Sequence, residues 1–588
     1  MNPSGTVRGG VETRANPDRG ALSRQTAGRT MALAAVLALV ASAGHASADV
    51  TYRTIALPGT TGPLGPGLGS ATFTAAGLAP VAGITGFART SVLNQSGDVA
   101  FVAASSQGAG VWRNIGGTNQ VIARATTASP APSLTNFGVN AYLGLTMSNA
   151  NQVGFSYTFT PGGQLGVNDV GQFRSTSAGA LEFVARSNAA GALPNGQTNL
   201  SGATSTPLQT QGGIMSFVGT WAGGQQAHFV GTPGSFTVAL QSGQAVAAAG
   251  NAVISGFDGN PALNDSGALA ASVNFSTGSG VPAVTGSNAR RLVTTRGGTV
   301  DVLAFSGAPV SDLPGVNFAS TGTFSPAMNN AGQVAFTSAT SGVGITANIN
   351  ESTIFRSDAS GSVVTALRER TGVPGRSDLF FGGANTSLST FGAVSINKFG
   401  TILAQSSGNT NAAGTALPNG AGHQTLFTID TSGLISVLAV TGDAAPGTGG
   451  TFAAFNASQR AINARGQVAF MATLNVAGAV TTSNDLGLFC SDATGALHLV
   501  AREGSLFQVA PGDWRTVQDI VFSRASVGNQ PTGGEDGRGL VLNDRGDVVF
   551  NLTFTDGTSG VFVANVPGPG AVALFGLAGG LAARRRRA

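Results

Sequence analysis

A short phrase, Asn-x-x-Gly followed by an alternating apolar run, recurs along this chain and limits its fold more than any other feature. It reads LNQSGDVAF at Leu93, MSNANQVGF at Met147, LNDSGALAA at Leu263, MNNAGQVAF at Met328, INKFGTILA at Ile396, INARGQVAF at Ile462 and LNDRGDVVF at Leu542. A degraded copy, LQTQGGIMSF, begins at Leu208, and successive starts lie 54, 61, 55, 65, 68, 66 and 80 residues apart. Self-similarity at such a period marks a fold of repeated supersecondary units, none of which buries its apolar face alone.

The phrase has a local physical meaning. Asn at the first position of a type I turn caps its own backbone, and Gly three residues later takes a conformation that side chains disfavour. The x-Val-Ala-Phe that follows alternates as a strand does, so the phrase predicts a hairpin. The structural turn residues are then Asn94 and Gly97, Asn329 and Gly332, Asn397 and Gly400, Asn463 and Gly466, and Asn543 and Gly546. A second phrase follows each copy (GVWRN, GQFRST, AHFVGT, RRLVTT, TIFRSD, TLFTID, GLFCSD, GVFVAN). A third places alanine at a fixed point: Ala123, Ala185, Ala239, Ala304, Ala366, Ala439 and Ala501. A more polar stretch leads back to the next Asn-x-x-Gly, which gives four strands per unit.

The ends of the array indicate how it closes. The last unit stops after its second phrase, at GVFVAN, whereas TIALPG near Ala56 matches a third phrase with nothing of the unit before it. Half a unit at each end completes one whole unit if the ends meet. This predicts an all-β fold, a β-propeller of eight four-stranded blades closed by pairing of N- and C-terminal strands.

Composition agrees. Charged residues are only 10% of the chain, which excludes a disordered polyelectrolyte, and 88 glycines suit many tight turns. The formal charge of +4 comes from the two ends, where five arginines precede residue 30 and four close the chain. Without them the body is slightly acidic and shows no basic cluster, so nucleic acid is excluded as a partner.

Both ends read as addresses. Residues 31–43, MALAAVLALVASA, are preceded by Arg24 and Arg29 and followed by Ala46-Ser47-Ala48. That order of charge, short apolar run and small-x-small site predicts a signal peptide over 1–48, cut before Asp49 with Ala46 and Ala48 as the small residues of the site. The repeat domain occupies 49–565. The segment 566–588 opens with Val566-Pro567-Gly568-Pro569, continues as a 13-residue apolar run and ends in Arg584, Arg585, Arg586 and Arg587. That run is short of the ~20 residues of a spanning helix, and the arginines favour the cytoplasmic side.

This tail resembles the PEP-CTERM sorting signal that exosortase-type systems of Gram-negative bacteria process, with Gly568 where that signal carries glutamate. The repeat likewise resembles the NxxGxxAF tandem repeat of exported proteins with such tails, over about Thr51 to Asn565. The resemblance implies transient inner-membrane anchoring, a membrane protease as processing partner, and a place at the cell surface or outside the cell. It brings no catalytic residues.

The residues offer little catalytic chemistry of their own. His228, His423 and His498 lie in different units at no metal-ligand spacing and read as ordinary surface or partly buried side chains. Cys490 is the single cysteine, which excludes an intramolecular disulfide, and its place in LGLFC predicts a buried thiol. No cofactor is expected; for calcium, GGEDGR around Glu535 and Asp536, in the longest insertion, is the strongest local candidate. Glu182, Glu351, Glu369 and Glu503 could serve a glycosidase, but Glu369 and Glu503 follow Arg368 and Arg502, a repeated pair that reads as a solvated blade edge. Trp112 fills a slot that other copies give to Phe, Trp221 lies elsewhere, and Trp514 reads as exposed. The sequence thus points to a non-catalytic binding or structural module of the envelope or extracellular matrix, with extracellular polysaccharide or a surface protein as partner. The alternative is a propeller carbohydrate-active enzyme, a glycosidase or lyase. Two or three carboxylates and an aromatic converging at one end of the channel would mark it.

Overall fold

The strands of each repeat pair in chain order, and each set of four forms one blade of an eight-bladed β-propeller. The computed structural model describes residues 50–74, 87–124, 128–130, 142–158, 170–186, 202–203, 207–319, 324–382, 391–522 and 531–566. The first blade consists of Phe87–Leu93, Val99–Ser105, Gly108–Ile115 and Thr118–Arg124. The next six fall within 142–186, 202–241, 245–305, 316–368, 395–440 and 444–502. The closing blade joins Asp513–Val521, Asp547–Phe554 and Ser559–Asn565 to the N-terminal strand Thr51–Ala56. That strand runs antiparallel to the C-terminal one, from Thr51 opposite Asn565 to Ala56 opposite Val561, so the predicted closure is present.

The apolar alternation explains the core. Aromatics of the second and third strands stand directly opposite each other as Phe101/Trp112, Phe155/Phe173, Phe217/Phe229, Phe336/Phe355, Phe470/Phe489 and Phe550/Phe562. Their ring centroids are 5.0–6.4 Å apart. Such cross-strand pairs add roughly 0.2–1 kcal/mol each beyond the area they bury. Trp112 does occupy a phenylalanine slot, and its indole N–H reaches the Pro66 carbonyl at 3.1 Å.

One residue before this aromatic, the pairing of third and fourth strands slips by one, as between Val111 and Trp112 or Leu488 and Phe489. The slip places Ala123, Ala185, Ala304, Ala439 and Ala501 in equivalent positions. Ala239 and Ala366 do not share that position: Leu240 and Leu367 face it instead. The bulge, not the alanine, sets the register.

Arginines, scarce in so uncharged a chain, tie blade to blade. Arg53, Arg113, Arg174, Arg296 and Arg356 each donate to the carbonyl of the left-handed turn residue of the following blade: Gly97, Asn151, Gly213, Gly332 and Gly400. No helix among the described residues is long and apolar enough to cross a membrane.

Candidate functional site

The eight repeat turns, six of them Asn-x-x-Gly and two led by Ser148 and Thr210, open on one end of the central channel. The amide oxygen of Asn463 accepts from the backbone N–H groups of Arg465 and Gln467, both at 3.0 Å. The same arrangement holds at Asn94, Asn264, Asn397 and Asn543. The glycines Gly97, Gly332, Gly400, Gly466 and Gly546 have φ between 78° and 86°, a region where a β-carbon is strained. The second half of each amide was not visible in the repeat pattern. Asn329 Nδ2 donates to the Asn397 carbonyl at 3.0 Å, Asn397 to Asn463 at 2.9 Å, and Asn463 to Asn543 at 2.8 Å. Asn543 then reaches Asn94 at 3.1 Å and carries the series across the join of the chain ends.

The residue after each asparagine forms an outer ring. Gln95, Asn149, Gln211, Asp265, Asn330, Lys398, Ala464 and Asp544, one from each blade, line a cavity of 210 Å³ together with Gly533, Gly534 and Glu535. Most use a side-chain oxygen to hold the preceding blade: Asn149 accepts from the Gln95 N–H, Asn330 from Asp265, and Asp544 from Ala464. Lys398 has no acceptor to offer Asn330. Glu535 supplies it, accepting from the Asn330 N–H at 2.9 Å. The signal for this ring was in the sequence as a polar column beside the asparagines, broken only at Ala464.

Glu535 belongs to the longest insertion, which enters the channel as a plug. Its carbonyls accept from innermost strands of four blades: Leu540 from Leu93 N–H, Gly537 from Gln209, Asp536 from Leu263 and Thr532 from Ile462, at 2.8–3.1 Å. Gly533 passes so close to the Ile396 carbonyl that no β-carbon fits. Inside the plug, Arg538 and Asp536 form a fully buried ion pair at 2.7 Å, and the guanidinium also donates to the Pro326 carbonyl at 2.8 Å. The carboxylates of GGEDGR are therefore engaged by protein donors, and no group of three or more His, Cys, Asp or Glu among the described residues is placed to hold a metal ion.

The mouth carries three carboxylates, Asp265, Glu535 and Asp544, and the only lysine in the chain. Burial, reinforced by Asp265 and Asp544, raises the Glu535 carboxyl above its usual range, against the opposing pull of the Asn330 N–H and Lys398. No aromatic side chain lines the cavity.

The other sequence candidates lie apart from this site. His228 is buried rather than superficial, and burial pushes its pKa down to about 4. His423 Nδ1 contacts the Leu417 carbonyl and His498 Nε2 contacts Asp492. Cys490 is buried, which raises its thiol pKa. Glu369 is not at a solvated edge: it is buried and accepts from the Ser352 N–H at 2.7 Å. Arg502 is spent on the carbonyls of Asn484 and Thr448. Trp514 is exposed. Val566 is buried, its N–H donating to the Gly546 carbonyl. Ala46, Ala48, Pro567, Gly568, Pro569 and Arg584 to Arg587 lie outside the described residues.

The profile of DUF7453, a family of unknown function, matches residues 70–376 and 393–573. No curated protein is matched. Among solved structures, the β-propeller domain of the Trilobed protease from Pyrococcus furiosus is similar at 10% identity and a TM-score of 0.36, over 72% of this chain and 94% of that one. A Mycobacterium tuberculosis puromycin-hydrolyzing peptidase is similar at 12% identity and a TM-score of 0.35, over 82% of this chain and 60% of that one. The GH74 xyloglucanase from Xanthomonas campestris is similar at 12% identity and a TM-score of 0.26, over 89% and 94%.

Proposed function

This chain belongs to the DUF7453 family, and we propose that it is an exported, surface-sorted propeller acting as a non-catalytic binding or structural module of the cell envelope or extracellular matrix. The observation that carries the non-catalytic reading is the use of the channel's own carboxylates. Asp265 accepts from Gly212 N–H at 2.7 Å, Asp544 from Ala464 N–H at 2.8 Å and Glu535 from Asn330 N–H at 2.9 Å. Acid–base catalysis needs carboxyls aimed at a substrate, whereas these hold neighbouring blades together, and the plug fills the space behind them. Export and sorting rest on the segments 1–48 and 566–588 and on the repeat family that carries such tails.

The rival, a glycosidase, has one observation in its favour. Glu535 has a raised pKa beside the carboxyl groups of Asp265 and Asp544, as a general acid near a second carboxyl does. One experiment separates the two. The purified protein is incubated with polysaccharide, aryl-glycoside and peptide substrates, and Glu535→Gln is assayed in parallel. The proposal expects no turnover by either protein; turnover by the parent that Glu535→Gln abolishes would establish the glycosidase. Sorting is tested by mass spectrometry of the C-terminal peptide from fractionated cells. Processing removes Arg584 to Arg587, whereas an intact arginine run on inner-membrane protein would refute it.

A further inference from the structure

The seam between the seventh blade and the closing blade holds a cleft of 780 Å³, within the range of about 300–1,000 Å³ typical of sites for small organic ligands. Its walls are the outer strand Leu497–Arg502, the hairpin of Leu506–Ala510 and Asp513–Val521, and the N-terminal strand Thr51–Ala56. Alternation sorts the hairpin's side chains. Phe507 and Val509 are buried, while Leu506 and Gln508 stand outward with Trp514 directly opposite Gln508. Trp514 is 56% exposed, Leu506 66% and Tyr52 46%. Trp112 and Tyr157 are completely enclosed, whereas here an indole and a phenol of one cleft are both exposed.

The surface is tied down by its own contacts and carries a single charge. Tyr52 packs edge-on against Phe507 with centroids 5.1 Å apart, and its hydroxyl donates to the Val500 carbonyl at 2.8 Å. Arg502 is the one charged residue among the described lining, and three of its N–H donors go to Asn484 and Thr448. The backbone acceptors that an added peptide strand would use are occupied as well. Val500 O is held by Tyr52, and Val509 O takes the Thr54 hydroxyl at 2.7 Å.

We infer that this cleft binds a neutral polysaccharide, with pyranose rings lying on Trp514 and Tyr52 and hydroxyls meeting the Gln508 amide. The C–H face of a sugar ring carries slight positive charge and suits the negative face of an aromatic ring. Arg502 aside, the described lining is uncharged and mostly apolar, which favours a ligand held by ring stacking and hydroxyl hydrogen bonds over one that must give up the hydration of a charge. The inference rests on the reading of the protein as a binding module and names its ligand class.

The test uses the purified protein with cellohexaose and maltohexaose as neutral probes, an oligogalacturonate as the anionic probe and an apolar decapeptide, by calorimetry and tryptophan fluorescence. A neutral hexasaccharide should bind and shift the fluorescence. Trp514→Ala should weaken binding about tenfold or more, Gln508→Ala about threefold, and Trp514→Phe should retain most of it. The melting temperatures should stay at the parent value, because both side chains are exposed. Binding unchanged in Trp514→Ala, tighter binding of the oligogalacturonate or the peptide, or no binding of either neutral probe would overturn the inference. Cleavage of a bound hexasaccharide would instead overturn the non-catalytic reading and leave the cleft in place.

Discussion

Two arcs of the channel ring close the same gap between blades with different groups. From Asn329 through Asn397, Asn463 and Asn543 to Asn94, every amide caps its own turn, and every Nδ2 reaches the next blade's carbonyl. In the second and third blades, Ser148 and Thr210 occupy that place. Their hydroxyls accept from Gln152 and Ile214 N–H groups and so keep the cap, but they are too short for the cross-blade bond. There the backbone takes over, with Asn149 N–H donating to the Gln211 carbonyl and Gln209 N–H to the plug at Gly537. The comparison separates two duties of one residue. The turn needs only an oxygen near the backbone, whereas the ring needs a side chain long enough to carry a donor beyond it.

The comparison is broken most severely at the plug, which both arcs share. Arg538→Leu should destabilise the protein by about 3–5 kcal/mol, because Asp536 is left as a buried unpaired charge. Urea unfolding measures it, and a loss under about 1 kcal/mol would mean that the plug is peripheral. The short-donor arc also carries His228, whose folded pKa of about 4 lies below the ordinary value near 6.5. Above pH 6.5 its contribution is fully present. As pH falls toward 4 the unfolded chain takes up a proton that the fold refuses, and on the order of 3 kcal/mol is lost. His228→Phe should flatten that part of the pH–stability profile; an unchanged slope would remove His228 as its cause.

Within the complete arc, Asn463→Ala removes both bonds of its cap and leaves the Asn543 carbonyl with only the Gly546 N–H, an expected loss of about 3 kcal/mol. Gly466→Val leaves those bonds in place and only strains a φ of 81°, for roughly 2 kcal/mol. Equal melting temperatures of that variant and the parent would argue against the left-handed turn. The smallest effect sharpens the contrast: Ser148→Asn should restore a cross-blade donor toward the Thr210 carbonyl and gain about 1 kcal/mol. A loss would show that the arc has repacked around the shorter side chain.

Much of the architecture was legible because it is local and repeated. The Asn-x-x-Gly phrase, the facing phenylalanines and the half-units around Ala56 and Val561 carry turn, core and closure in patterns a few residues long. The plug was not legible in this way. GGEDGR has no period, and its partners Leu93, Leu263 and Pro326 lie more than 200 residues away, so its residues read only as a local calcium candidate. The arginine links were hidden for the same reason, since Arg356 meets Gly400 and Asp430 only once two blades stand side by side. The seam cleft was half legible: Trp514 stood out by its polar neighbours, but Tyr52 joins it only through ring closure.

The central claim is that the insertion around Arg538 closes the channel by binding four blades at once. Native-state hydrogen exchange of the Leu93, Gln209, Leu263 and Ile462 amides tests it most directly, because each donates to a plug carbonyl in the folded protein. The account predicts that all four exchange only by global unfolding in the parent and lose protection together in Arg538→Leu, relative to the Phe101 and Phe470 amides of the strands behind them. Four amides that exchange at unrelated rates in the parent, or keep their protection in the variant, would contradict it.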